Sequence, residues 1–260
     1  MGSSIMQGKL WGSAAKQWAE LQEPQHRPLW DVMLANANVS EQTTLLDAGC
    51  GAGGTCRVAE SLGAVITGLD ASEALLAIAK KRMPDATFDL GELEELPYPD
   101  SSFDVVVASL SVQYAENPSK ALKELLRVCK PTGCLVITTW GNPALCDQKQ
   151  LLEAMGRILP APPPGKGPFS LSAEGQLEEL VEQAGWSATD RETVDCPFVY
   201  NTLDEHWLAQ SSAGPMQGAL SKVDEVQLRE VLEEAIVPFT DVQGIIRLTN
   251  EFICVKAVPA

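Results

Sequence analysis

The chain has 260 residues, with 19 Lys plus Arg against 35 Asp plus Glu, and its net charge of −16 at pH 7 opposes binding to nucleic-acid phosphates or anionic membrane surfaces. Its seven cysteines form no CxxC or Cys/His cluster, which argues against a zinc site or a disulfide framework and leaves no metal assigned. No apolar run reaches the length of a membrane span and the start lacks the basic-then-apolar layout of an export signal, so a cytoplasmic location with no membrane partner is expected.

Residues 10–37 are rich in helix formers and carry Trp11, Trp18 and Trp30, while Pro24 and Pro28 predict two helical pieces with a break. This N-terminal segment, residues 1–40, either packs its tryptophans against the main domain or forms a helical lid over a ligand. Residues 45–54, LLDAGCGAGG, then read as a strand running into a glycine turn, with Asp47 ahead of Gly49, Gly51, Gly53 and Gly54. A helix starting near Thr55 would point its unpaired N–H groups at a ligand and favour a carboxylate or phosphate there. Residues 56–62 are expected to be helical and 64–69 to form a strand ending in Asp70, which completes a βαβ unit. Asp70 can accept from both hydroxyls of a ribose, or cap the next helix, residues 74–82, together with Ser72 and Glu73.

Residues 87–89 predict a third strand, and after the turn 96–100 the run FDVVVASL (103–110) has the continuous apolar pattern of a parallel strand covered on both faces. An amphipathic helix at 118–129, a turn at Pro131, Thr132 and Gly133, and a strand at 134–139 follow. Strand and helix alternate through residues 41–140, which gives an open parallel sheet with helices on both sides. Beyond Trp140 we expect an extended proline-glycine loop at 160–168, a helix at 172–184 capped by Ser172, a strand at 193–200, helices at 203–211 and 222–235, and a last strand or hairpin arm at 244–257.

Gly49, Gly51 and Gly54 formally satisfy G-x-G-x-x-G with Asp70 downstream, so this pattern by itself leaves an NAD-dependent oxidoreductase open. With Asp47 ahead of the first glycine, Glu92, and LPYPDSSFDVVVASL further on, the set resembles class I S-adenosylmethionine-dependent methyltransferases, in the branch of the ubiquinone and menaquinone biosynthesis enzymes. The resemblance covers residues 41–140, and RVCKPTGCLVITTW and FSLSAEGQLEELVEQAGW look like later elements of that branch. It implies a Rossmann-like doubly wound α/β fold, a mostly parallel sheet with an antiparallel last strand. A methyltransferase domain would span 41–260, with cap insertions near 141–170 and 201–240.

It also implies S-adenosyl-L-methionine as cofactor. Asp47, Gly49, Cys50 and Gly51 would lie at the methionine part, Asp70 and Ala71 at the ribose, Glu92 and Leu93 at the adenine, and Ser109 at the carboxyl end of strand four, with Gln113 and Tyr114 beyond it. A small organic acceptor would be held by aromatic residues of the flanking segments, among them Trp11, Trp18, Trp140, Phe169, Phe198, Trp207 and Met216. The only histidines, His26 and His206, fall in those segments and are candidate bases. O-, N- and C-methylation, the oligomeric state, and a catalytically silent cofactor-binding module of the same fold all stay open.

Overall fold

A computed structural model describes residues 3–160 and 167–260. Its frame is a seven-stranded sheet in the order β3-β2-β1-β4-β5-β9-β6. The strands are β1 (Thr44–Ala48), β2 (Val65–Asp70), β3 (Thr87–Leu90), β4 (Phe103–Ser109), β5 (Cys129–Trp140), β6 (Trp186–Asp195) and β9 (Glu251–Pro259), with β7 (Phe198–Tyr200) and β8 (Ile246–Leu248) in a separate two-stranded ribbon. β1 to β5 pair in parallel, and β9 runs antiparallel to both of its neighbours. The expected fold class is therefore the observed one.

The parallel half forms as its sequence dictates. Every residue of β4 except its polar Asp104 and terminal Ser109 is buried, because helices cover both faces. On one face α6 (Pro118–Val128) buries Leu122, Leu125 and Val128 against Phe103, Val106 and Leu135. On the other, α3 (Arg27–Asn36) and α4 (Gly54–Ser61) pack Leu29, Met33, Cys56 and Val58 against Leu45, Val105 and Val107. In α5 (Glu73–Arg82) the Ser72 hydroxyl caps the Leu75 N–H at 3.3 Å.

Several expectations shift. The N-terminal segment does not break at its prolines. Beyond α1 (Ser4–Gly12) and α2 (Ala15–Gln17) it passes through a π turn (Trp18–Gln22) and a 3-10 turn (Glu23–His26) into α3, with Pro24 and Pro28 each in the first turn of its element, where the missing N–H costs nothing. β5 runs through the expected turn, and Pro131 to Gly133 bulge between the pairs Phe103–Cys129 and Val105–Cys134. The strand expected at 193–200 divides between β6 and β7. β6 begins at Trp186, and because it is a largely exposed edge strand its polar Ser-Ala-Thr-Asp-Arg stretch carries no apolar alternation.

After α7 (Gln148–Met155), α8 (Gln176–Gln183) starts later than expected, because the Ser172 hydroxyl donates to the Trp140 carbonyl at 2.8 Å instead of capping. α9 (Leu203–Ser211) is where it was expected. A further helix, α10 (Gly214–Leu220), precedes α11 (Glu225–Ala235), whose cap is Asp224. Residues 161–166 of the expected proline loop lie outside the described residues.

Candidate cofactor and acceptor site

The glycine turn at the end of β1 is held by main chain. The N–H groups of Gly49 and Cys50 both donate to the Leu69 carbonyl, at 2.7 and 3.0 Å, which folds the turn over the end of β2. Gly49 has φ +88, and a Cβ there would stand 2.4 Å from that of Ser111, so only glycine fits. At Gly54 the limit is space: a Cβ would lie 2.2 Å from the Trp30 ring. Asp70 is fixed by two backbone donors, Gly51 N–H to Oδ2 at 2.9 Å and Ser72 N–H to Oδ1 at 2.8 Å, while burial pushes its carboxyl upward. Each oxygen keeps a lone pair for a further donor.

One donor at the start of α4 is taken by the protein itself: Glu23, from the N-terminal segment, accepts through Oε1 from Gly54 N–H at 3.3 Å, and from Ala52 N–H just ahead of the helix at 3.0 Å. Its Oε2 pairs with Arg82 at 2.6 Å, and Arg82 also donates to the carbonyls of Ala52 and Ala19, both at 2.7 Å. The protein's own carboxylate thus stands beside the helix start where a dinucleotide-binding turn would place its pyrophosphate. Nothing local in the sequence marks Glu23, which lies 29 and 31 residues from its two donors.

Around this turn lies a cavity that brings together Gly49, Cys50, Gly51, Asp70, Ala71, Glu92, Leu93 and Ser109 with Tyr114 and His26. Of the expected cofactor residues only Asp47 stands outside it, 1% exposed behind the turn. Its Oδ2 accepts from the Cys56 thiol at 3.3 Å and its Oδ1 has no partner among the described residues. Burial, with the charges of Asp70 and Glu23 adding to it, pushes its pKa up to about 7. Glu92 accepts the Ser4 N–H at 2.8 Å, which ties the start of α1 to the β3 end of the site. Gln113 is turned away, its Oε1 accepting from the Thr139 hydroxyl at 3.0 Å. Leu110 carries φ +53, a strained value for a branched residue, at the carboxyl end of β4 where the wall turns.

The far wall comes from the flanking segments. Trp11, Trp18, Trp140, Phe198 and Met216 line it, whereas Phe169 packs edge-on against Trp140 without reaching the cavity and Trp207 belongs to the core. A polar chain that sequence reasoning missed crosses this wall. The Tyr200 hydroxyl donates to Gln22 Oε1 at 2.8 Å and accepts from Gln210 Nε2 at 3.0 Å, and Gln210 and Gln148 exchange amide bonds at 2.8 and 3.2 Å. His26 is on the cavity, but His206 is not: it is 1% exposed, edge-on to Tyr200 at 5.0 Å, with Nε2 unpartnered among the described residues. Burial holds both imidazoles down at about 4. The described lining carries three carboxylates, Glu23, Asp70 and Glu92, and no Lys or Arg.

A methyltransferase-domain family model matches residues 46–137. The malonyl-[acyl-carrier protein] O-methyltransferase of Erwinia pyrifoliae is 31% identical over 178 residues, 68% of this chain and 67% of that protein. The chain belongs to the S-adenosylmethionine-dependent methyltransferases. The demethylmenaquinone methyltransferase of Renibacterium salmoninarum is 36% identical over 118 residues, 45% of this chain and 50% of the relative. The matched stretch spans about half the length of several such relatives. The fold is that of the Bacillus subtilis YcgJ protein (19% identity, TM-score 0.60, 88% of this chain and 97% of that one) and of an Aquifex aeolicus methyltransferase (21%, TM-score 0.53, 69% and 92%).

The cofactor of this family suits what the cavity offers. A sulfonium and an ammonium are cations, and the lining supplies the carboxylates of Asp70 and Glu92 with no Lys or Arg paired to them among the described residues, whereas Glu23 is paired with Arg82 and Asp47 holds an unpaired oxygen just behind the lining. The strand-end positions, Asp70 with Ala71 and Glu92 with Leu93, flank one side of the same methyltransferase cavity whose other side is aromatic.

Proposed function

We propose that this methyltransferase moves a methyl group to a small, uncharged organic acceptor by in-line displacement. The observation that carries the reading is the charge of the cavity: Asp70 and Glu92 line it with no Lys or Arg in the described lining, and Glu23 puts a further carboxylate on the Gly54 N–H at the start of α4. Such a lining stabilises a cationic nucleotide and repels the diphosphate of NAD. S-adenosyl-L-methionine, when bound, supplies an electrophilic methyl on sulfur.

The chain's own residues bind and orient. On this reading Asp70 accepts from the ribose hydroxyls with the lone pairs its backbone donors leave free, and Glu92 and Leu93 hold the adenine. Gly49 to Gly51 border the methionine part, with Asp47 favouring its ammonium from behind. Trp11, Trp18 and Tyr114 cover the reacting centre from water, with Trp11 edge-on to Trp18 at 4.7 Å and to Tyr114 at 5.6 Å. The names of the relatives point to two kinds of acceptor, a malonyl carboxylate and a demethylmenaquinone ring. A wall of aromatic rings and amides without a cation favours the uncharged ring over the carboxylate.

Calorimetry with S-adenosylhomocysteine, S-adenosylmethionine and NAD on the wild type and Asp70→Ala tests this. Both sulfur nucleotides are expected to bind and NAD not, and Asp70→Ala is expected to weaken binding about 100-fold, the loss of charged hydrogen bonds to the ribose. Binding of NAD alone, or undiminished binding by the variant, overturns the reading.

A further inference from the structure

Two side chains of the N-terminal segment line the cavity with hydrogen-bonding capacity that the protein leaves unused. His26 Nδ1 lies 3.3 Å from the Glu23 carbonyl oxygen. A carbonyl only accepts, and the Gln22 carbonyl is a second such neighbour of the ring, so Nδ1 carries the proton and Nε2 presents a lone pair. The ring is clamped by Phe198 at 5.0 Å and by Trp18 and Phe252 at 5.9 Å. Gln22, four residues earlier, has its amide orientation set by the Tyr200 hydroxyl: Oε1 accepts, and Nε2 is left as a donor without a partner among the described residues. Trp18 joins this pair to the glycine turn, its Nε1 standing 3.7 Å from where a Cβ on Gly51 would be. A lone pair and an N–H donor thus border the cavity beside flat aromatic walls, near the turn proposed to hold the methionine part.

We propose that His26 and Gln22 form the acceptor subsite, and that it takes a neutral hydroxylated aromatic ring: His26 Nε2 accepts the proton of the hydroxyl that is methylated, and Gln22 Nε2 donates to an oxygen on the adjacent ring carbon. This rests on the methyltransferase reading above. In the transfer the acceptor oxygen bonds the methyl carbon, the electron pair of the broken C–S bond stays on sulfur, and the hydroxyl proton passes to His26 Nε2. One positive charge leaves sulfur as one arrives on the imidazole, so the total charge within the cavity does not change. That exchange matters for a ring whose burial keeps it neutral, since an imidazolium formed there without the loss of another cation would be costly. The proton returns to water from Nε2 when the ether product leaves. His206, behind Tyr200 and away from the cavity, has no such access.

The test uses catechol and its nitro derivative as acceptors with methyl-labelled S-adenosylmethionine, at a pH where the nitro compound is ionised and catechol is not. His26→Gln is expected to cut kcat/KM for catechol about 100-fold, and to change that for the pre-ionised nitro compound by less than about fivefold, the split that a lost proton acceptor produces and a packing defect does not. Gln22→Met is expected to raise KM for both about tenfold with kcat kept. Equal losses for the two acceptors, no loss, or a wild type that labels neither phenol overturns the subsite. S-adenosylhomocysteine binding by the same samples separates this failure from that of the methyltransferase reading: if it persists, only the acceptor proposal falls. A second readout needs no turnover. With two histidines in the chain, nitrogen NMR of the S-adenosylhomocysteine complex is expected to show His26 protonated at Nδ1 and bare at Nε2, and the opposite tautomer counts against the proposal.

Discussion

The half of the cavity proposed to hold the cofactor is built largely from main chain and the half proposed to hold the acceptor from side chains. In the first, N–H groups of residues 49 to 54 and 72 find acceptors at Leu69, Asp70, Glu23 and, for Gly53, Cys50, so strand ends and one tight turn set the geometry. In the second, amides and rings from residues 22, 26, 148, 198, 200 and 210 bond to one another across four separate segments. The turn of the first half rests on main-chain bonds, those of the Gly49 and Cys50 N–H groups to the Leu69 carbonyl. The other half can be respecified residue by residue while the sheet stays as it is. Asp70 and Glu23 are the exceptions, side chains that complete the first half.

The largest way to break this contrast is Glu23→Ala. It strands Arg82 in a partly buried site and orphans two N–H donors, and it is expected to destabilise the fold by about 3–5 kcal/mol in urea unfolding. Glu23→Gln, which keeps an acceptor for Ala52 and Gly54, is expected to cost less. Asp47→Asn comes next. Between the ordinary carboxylate range and about 7 the unfolded chain has given up a proton that folded Asp47 still holds, so wild-type stability falls as pH rises through that window and levels off above it. The variant removes this slope: equal to wild type near pH 4, it is expected to be more stable at pH 8 by on the order of 2 kcal/mol.

Tyr200→Phe probes the other half. It leaves Gln22 Oε1 and Gln210 Nε2 without the hydroxyl and is expected to cost about 1–2 kcal/mol while leaving S-adenosylhomocysteine affinity unchanged. A fall in that affinity would show that the halves are not independent. The smallest effect is expected from His206→Phe, within about 1 kcal/mol at pH 8, since an imidazole with an unpaired nitrogen is replaced by a ring without one. Below neutral pH the sign is definite. The unfolded chain takes up a proton from 6.5 downward that folded His206 refuses until about 4, so the wild type loses stability across that window and the variant loses less.

The contrast also explains what the sequence made legible. The glycine turn, Asp70 and the parallel strands are local patterns, a few residues each, whose physics acts on neighbours, and they lie where they were expected. Glu23, the glutamine chain and the division of residues 193–200 between β6 and β7 depend on partners far away in sequence. Gln25, for example, fixes β7 from 174 residues away, donating to the Val199 carbonyl at 2.9 Å and accepting its N–H at 3.0 Å. No periodicity encodes such a pair. β6 escaped for a different reason, since an exposed edge strand needs no apolar face.

The bond from Glu23 to Ala52 and Gly54 has a practical consequence for anyone who would recombine this protein. The stretch shared with the family, residues 46–137, is not a transplantable cassette: the carboxylate that closes its turn is encoded 23 residues upstream of where the match begins. A chimera that takes the shared stretch and borrows its leader elsewhere inherits an open seat and a lone Arg82, unless the donor leader offers an acid in register.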